Sequence, residues 1–167
     1  MTTEWQRMTT NDNRMTTNYN QMTTNFTIRN YIDSDYSEMI RLWETLGLGG
    51  AQRGDDEKII RRTIEMGGQL LLMIDSAKNI IVGTSWLTVD GRRTYLHHFG
   101  IHTDYQGNGL ANSLLDASLK LAKSFGMQIK LEVHKENAKA LALYANAGFA
   151  YLGDYNVYII RDISTIG

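Results

Sequence analysis

Cysteine and proline are both absent from this 167-residue chain. Without cysteine there is no disulfide, no zinc–thiolate site and no thiol to carry a covalent intermediate. The absence fits a cytoplasmic protein. Without proline, helix ends must be set by glycine, asparagine and side-chain caps. Charge of one sign is also missing: Lys and Arg number 17 and Asp and Glu 18, for a formal net charge of -1. That balance lacks the basic footprint of a nucleic-acid binder. No apolar run is long enough to span a bilayer, so no membrane partner is expected.

What remains is an ordinary globular composition, 43% hydrophobic, at a length that suits one domain with one core. The exception is the head of the chain. Met1, Met8, Met15 and Met22 mark a period of seven through "MTTEWQR", "MTTNDNR" and "MTTNYNQ". Only one position per heptad is apolar, and Thr and Asn are poor helix formers, so a coiled coil does not follow. It lacks the apolar centre of a secretion signal and the basic residues of a mitochondrial one. Residues 1–25 read as a polar, mobile tail and residues 26–167 as the folded domain.

Within the domain the periodicity alternates between strand and helix. "FTIRNY" is a strand, and Asp33 or Ser34 caps a helix over "SEMIRLWETLG". "DDEKIIRRTIEM" is a second helix closed by Gly67 and Gly68. "QLLLMID" and "NIIVGTSWLTV" are strands, and Asp90-Gly91 turns the chain into the strand "RTYLHHFGI". A helix ending at Gly126, the strand "QIKLEV" and the helix "NAKALALYANAG" follow. "FAYLGDYNVYIIRDI" alternates as two closing strands do. The order β-α-α-β-β-β-α-β-α-β-β predicts an α/β fold: a mixed sheet with helices on both faces.

The stretch "DYQGNGLANSLL" sets two glycines between a strand and a helix. A helix start presents unpaired N–H groups and a partial positive charge. Gly107 and Gly109 let the backbone curl so that these groups converge on one anion, and a diphosphate fits. Lys-Ser/Thr of a P-loop is missing. The third glycine of a dinucleotide fingerprint is replaced by Asn112. The pattern Gln/Arg-x-x-Gly-x-Gly/Ala is filled by Gln106, Gly109 and Ala111.

That pattern resembles the GCN5-related N-acetyltransferase (GNAT) superfamily, whose cosubstrate is acetyl-coenzyme A. A second stretch strengthens the likeness. "LEVHKENAKALALYANAGF" resembles the family's strand, asparagine and Leu-Tyr helix ending at Gly-Phe, here Asn137, Leu143, Tyr144, Gly148 and Phe149. The resemblance implies a GNAT fold. It assigns the cofactor's anion site to Gln106, Gly107, Asn108, Gly109, Leu110, Ala111 and Asn112. It assigns the splayed strand that pairs with the pantetheine arm to Phe99, Gly100 and Ile101. Gly100 agrees independently, since a glycine inside a strand marks a bulge or a close approach. Asn137 is implied as a cofactor contact, and its position equally suits a helix N-cap. Thr103 stands where family members often carry proline, a difference of loop stiffness.

The implied reaction moves acetyl from a thioester to an amine, which attacks only when neutral. Neutralising a lysine at pH 7 costs about 4.6 kcal/mol, against about 1 kcal/mol for a protein N-terminus. A base therefore matters most for lysine or polyamine acceptors. The spacing of Glu132, Asn137 and Tyr144 resembles bacterial enzymes that acetylate the N-terminal alanine of a ribosomal protein. That likeness implies Glu132 as base and Tyr144 as the acid for the departing thiolate. With no cysteine, transfer is direct, in a ternary complex. The other reading is a non-catalytic acetyl-coenzyme A-binding regulatory module. The expected partners are acetyl-coenzyme A and an amine acceptor, with a homodimer left open. His97 and His98, adjacent on a strand, are expected on opposite faces, a poor chelate, and whether either lines the acceptor cleft and takes part in proton transfer is left open. His102 and His134 read as surface or packing residues. The two arginines of "VDGRRT" are candidates to meet an acidic acceptor.

Overall fold

A computed structural model describes residues 25–153 and 156–165, the side chain of Gln52 apart. The repeat read as a tail lies outside the described residues, save Asn25, whose carbonyl accepts from the Ser76 N–H at 2.8 Å. The strands are β1 (Phe26–Asn30), β2 (Gln69–Asp75), β3 (Ile80–Val89), β4 (Arg93–Ile101) and β5 (Gln128–Leu131). The helices are α1 (Tyr36–Leu46), α2 (Glu57–Glu65), α3 (Leu110–Phe125) and α4 (Ala138–Asn146). The sheet order is β1-β2-β3-β4-β5, antiparallel through β4 and parallel between β4 and β5. This is the mixed sheet that the element order predicts.

The strand period of two sorts the core into two layers. Leu70, Leu72, Ile74, Ile81 and Trp86 pack with Met39, Leu42 and Trp43 of α1 and Ile60 of α2. Leu71, Met73 and Val82, on the other face, pack with Leu110 and Leu114 of α3. Leu87 and Leu96 meet Leu115 of α3 and Tyr144 of α4. β2 is buried on both faces, which is why "LLLMI" is an unbroken apolar run.

Local chemistry closes the elements. Asp56 caps α2, its side chain accepting from the Ile59 N–H at 2.9 Å. Gly47 and Gly126 end α1 and α3 in the left-handed conformation. The Asp90 carboxylate accepts from the N–H groups of Arg92 and Arg93 and fixes the hairpin. At α1 the expectation needs correcting. Neither Asp33 nor Ser34 caps it. They form a 3-10 turn with Asp35, whose carboxylate accepts from the Ile32 N–H and a bidentate Arg29.

The two closing strands are a second correction. Among the described residues nothing beyond Leu131 joins the sheet. "NVYII" has the right alternation, but alternation only marks a chain able to be a strand; a ladder partner makes it one. Tyr151, Val157, Tyr158 and Ile160 are exposed. β5 is also shorter than read, so that Glu132 and Val133 lie just past its end.

Candidate active site

β4 and β5 part company early. Their last paired residues are Leu96 and Leu131, while β4 runs on to Ile101. His97 to Ile101 therefore have no β5 partner, and a gap opens between the strands. This is where the sequence places Phe99, Gly100 and Ile101 as a splayed strand.

β4 is also bulged in that stretch. Thr84 pairs with Gly100 and Trp86 with His97, so two steps on β3 face three on β4. The extra residue is absorbed at His98, which takes a φ of 42°. Its carbonyl accepts from the Thr84 hydroxyl at 2.7 Å, and that hydroxyl accepts from Trp43 Nε1 at 3.0 Å. The bulge corrects the expectation for the two histidines. Both rings lie on the α1/α2 face, their centroids 5.8 and 5.3 Å from Trp86. His97 Nε2 lies 2.9 Å from the Thr88 hydroxyl, and its ring stacks on Tyr95 at 4.3 Å. Burial, and then the neighbouring His98, lower its pKa to about 4. Gly100 answers a close approach: a Cβ there would meet Leu46 Cδ1 at 2.8 Å and Leu48 Cδ1 at 3.1 Å.

Glu132 and Tyr144 lie on opposite faces of the sheet. Lys130 sits over the Tyr95 ring at 5.3 Å, on the α1/α2 face. Glu132 follows on the same face, and after burial its carboxylate is the main cause that pushes the Tyr95 phenol up. Glu132 itself is exposed. Tyr144 projects from α4 on the other face, buried between Phe99 at 5.9 Å and Phe149 at 5.6 Å. Burial pushes its phenol up to about 12, so the hydroxyl keeps its proton at neutral pH.

Past β4, the loop into α3 has the chemistry of an anion site. Gly107 and Gly109 hold φ of 80° and 75°, with open space where a Cβ would stand. The left-handed backbone, rather than crowding, calls for glycine here. The amides of Gln106, Asn112 and Ser113 donate to Thr103 and Gly109 carbonyls. Those of Gly107, Asn108, Gly109, Leu110 and Ala111 have no protein acceptor among the described residues. Consecutive unpaired donors at the positive end of a 16-residue helix fit a diphosphate. The Gln106 side chain turns away from that cradle. Its Nε2 donates to the Ile101 carbonyl at 3.0 Å and ties the loop to the end of β4. Asn137 caps α4, with Oδ1 accepting from the Ala140 N–H at 3.1 Å. Its amide NH2 is the part left for a ligand.

The structure also gathers residues that the sequence did not single out. Asp55 lies 3.3 Å from His98 Nε2. Thr84 and Trp43 hold the bulge. Nothing in the spacing marks these contacts; the glycines of "GLGGAQRGD" are the one local sign of an unusual chain path.

Residues 33–149 match the Acetyltransferase (GNAT) family. Solved structures share the fold. An acetyltransferase from Streptococcus agalactiae is 18% identical with a TM-score of 0.65, over 83% of this chain and 93% of that one. Glucosamine-6-phosphate N-acetyltransferase from Arabidopsis thaliana is 14% identical with a TM-score of 0.64, over 83% and 98%. A GNAT family acetyltransferase from Elizabethkingia anophelis, with acetyl-CoA bound, is 20% identical with a TM-score of 0.55, over 75% and 76%. No helix among the described residues is long and apolar enough to cross a membrane. A family match over residues 33–149, most of the chain, settles the assignment: the chain belongs to the GNAT acetyltransferase family and uses acetyl-coenzyme A as cosubstrate.

Proposed function

We propose that the protein acetylates a primary amine by direct attack in a ternary complex, with Glu132 as base and Tyr144 as acid. What supports this reading is the parting of β4 and β5 beyond Leu96 and Leu131, with Glu132 just past the end of β5 on one face of the sheet and the protonated phenol of Tyr144 on the other. Acetyl-coenzyme A supplies the thioester. The amides of residues 107–111 hold its diphosphate, and the unpaired stretch of β4 receives its pantetheine arm. Glu132 takes a proton from the acceptor ammonium, and the freed amine forms the C–N bond as the C–S bond breaks. Tyr144 gives its proton to the departing sulfur, and the second nitrogen proton, shed as the amide forms, returns through solvent to the phenolate. A phenol buried beside Phe99 suits that step, because its raised pKa keeps it protonated until a stronger base appears.

Steady-state thiol release tests both roles. Glu132→Gln is expected to lower kcat/KM by roughly 100-fold or more, with the deficit largest at low pH, where the amine carries its extra proton. Tyr144→Phe is expected to slow kcat about 10- to 100-fold while the Kd for acetyl-coenzyme A stays unchanged. Wild-type rates for both variants would remove both assignments.

A further inference from the structure

Two aspartates close hairpins in the same way. Asp90 accepts from the amides of Arg92 and Arg93, and Asp75 Oδ1 accepts from those of Ala77 at 3.0 Å and Lys78 at 3.2 Å. Asp90 is exposed, as such a turn allows. Asp75 is not: its side chain is only 8% exposed. A carboxylate taken out of water needs further partners. Asp75 finds one thirty residues on, where Oδ2 accepts from the Tyr105 hydroxyl at 2.9 Å. Burial acts to raise the Asp75 pKa, but the Tyr105 hydroxyl and the two turn amides outweigh it and hold the pKa below the ordinary carboxylate value. The carboxylate is therefore charged at neutral pH, and its bond to Tyr105 is charge-assisted. Lys78 adds little. Its Nζ donates to the Tyr105 oxygen at 2.8 Å and lies 5.0 Å from the ring centre, but it is exposed.

Tyr105 stands immediately before the loop of unpaired amides. Its ring packs with the core layer of Leu71, Met73 and Val82 and meets Phe26 of β1 edge to face at 6.0 Å. Behind it, the chain is tied to β3 by the His102 amide, which donates to the Val82 carbonyl at 2.7 Å. Ahead of it, Gln106 Nε2 reaches the Ile101 carbonyl. From there the amides of residues 107–111 have no protein acceptor among the described residues. Two glycines in that run have left-handed backbone, and glycine has the most conformational freedom to lose. A loop with so few bonds of its own is held from outside: at β2 through Tyr105 and at the end of β4 through Gln106.

We propose that Tyr105 is a positioning residue for coenzyme A: its hydroxyl, bonded to the buried Asp75 of β2, sets the loop before the ligand arrives. This rests on the reading of residues 107–111 as the diphosphate site. The loop is then ordered by folding rather than at the expense of binding. The Tyr105–Asp75 bond acts on the loop alone, so its loss weakens ligands that carry the diphosphate and spares those that lack it.

The experiment compares coenzyme A with pantetheine, which keeps the thiol arm and lacks the diphosphate, as ligands of the full chain. Calorimetry gives the Kd for coenzyme A, and an NMR shift titration gives that for the weaker pantetheine. Tyr105→Phe keeps the ring and loses the hydroxyl. It is expected to raise the Kd for coenzyme A about tenfold and to leave that for pantetheine unchanged. Asp75→Asn keeps Oδ1 for the turn and puts an NH2 where the Tyr105 proton needs an acceptor, so it should have the same effect. Both variants break one bond, and the double variant should bind coenzyme A no more weakly than either alone. An unchanged Kd for coenzyme A in Tyr105→Phe, equal weakening of both ligands, or multiplied effects in the double variant would each overturn the positioning role and leave the diphosphate site standing. Wild-type protein that binds the two ligands equally well would refute the diphosphate site itself, and the positioning role with it.

Discussion

Thr84 is fully buried in the middle of β3, and its hydroxyl has two partners. It donates to the carbonyl of the bulged His98 and accepts from the indole of Trp43. Removing that oxygen strands two buried groups. Thr84→Val keeps the shape and loses the hydroxyl, and the expected loss is about 2 kcal/mol of unfolding free energy in urea. Thr84→Ser keeps both hydrogen bonds and is expected to lose no more than about 1 kcal/mol, for one buried methyl. Equal losses would mean that the hydroxyl does not hold the bulge. No window of sequence shows this arrangement. Thr84 reads there as a β-branched residue in an apolar strand, and the histidine pair reads as two residues on opposite faces. One inserted residue in the ladder reverses the second reading, because the period of two fails wherever a bulge interrupts it.

At the scale of elements, periodicity and punctuation carried far. β2 and β4 begin and end where the apolar runs and the Asp-Gly turn place them. Strand partners carried less, since a pairing is a property of two segments: β5 stops where β4 leaves it, and "NVYII" has alternation without a ladder. Glycines show the same limit. Gly68 reads as a helix terminator, yet its role is contact. A Cβ there would stand 2.7 Å from the Leu87 carbonyl and 2.8 Å from that of Thr63, both backbone and unable to step aside. Gly68→Ala must therefore separate the end of α2 from β3, at roughly 3 kcal/mol. Gly126, at φ 67° with open space around it, is a true terminator, and Gly126→Ala should cost only about 1 kcal/mol. Chemical denaturation of the two variants side by side checks the contrast; similar midpoints would refute it.

Across the whole molecule, the sheet divides the labour. The α3/α4 face carries the unpaired amides of residues 107–111 and the buried phenol, and the α1/α2 face carries Asp55, Glu132 and both β4 histidines. Titrating the second face ties stability to pH. The His97 pKa, ordinarily 6.5, falls to about 4 in the fold, chiefly through burial. Below pH 6.5 the unfolded chain takes up a proton at this position that the folded protein refuses until about pH 4. His97 thus favours the fold fully above 6.5, and its contribution is lost as pH falls through that window, by at most about 3 kcal/mol. Asp35 acts at lower pH. The bidentate Arg29 lowers its pKa below the ordinary carboxylate value, so its contribution is present above 3.8 and fades only beneath it. The acid limb of the stability curve should therefore fall in two stages. His97→Gln has no proton to gain and should flatten the stage between pH 6.5 and 4 while leaving the later stage in place. Urea unfolding at half-unit pH intervals would show this, and a His97→Gln curve parallel to wild type across the upper stage would place the coupling elsewhere.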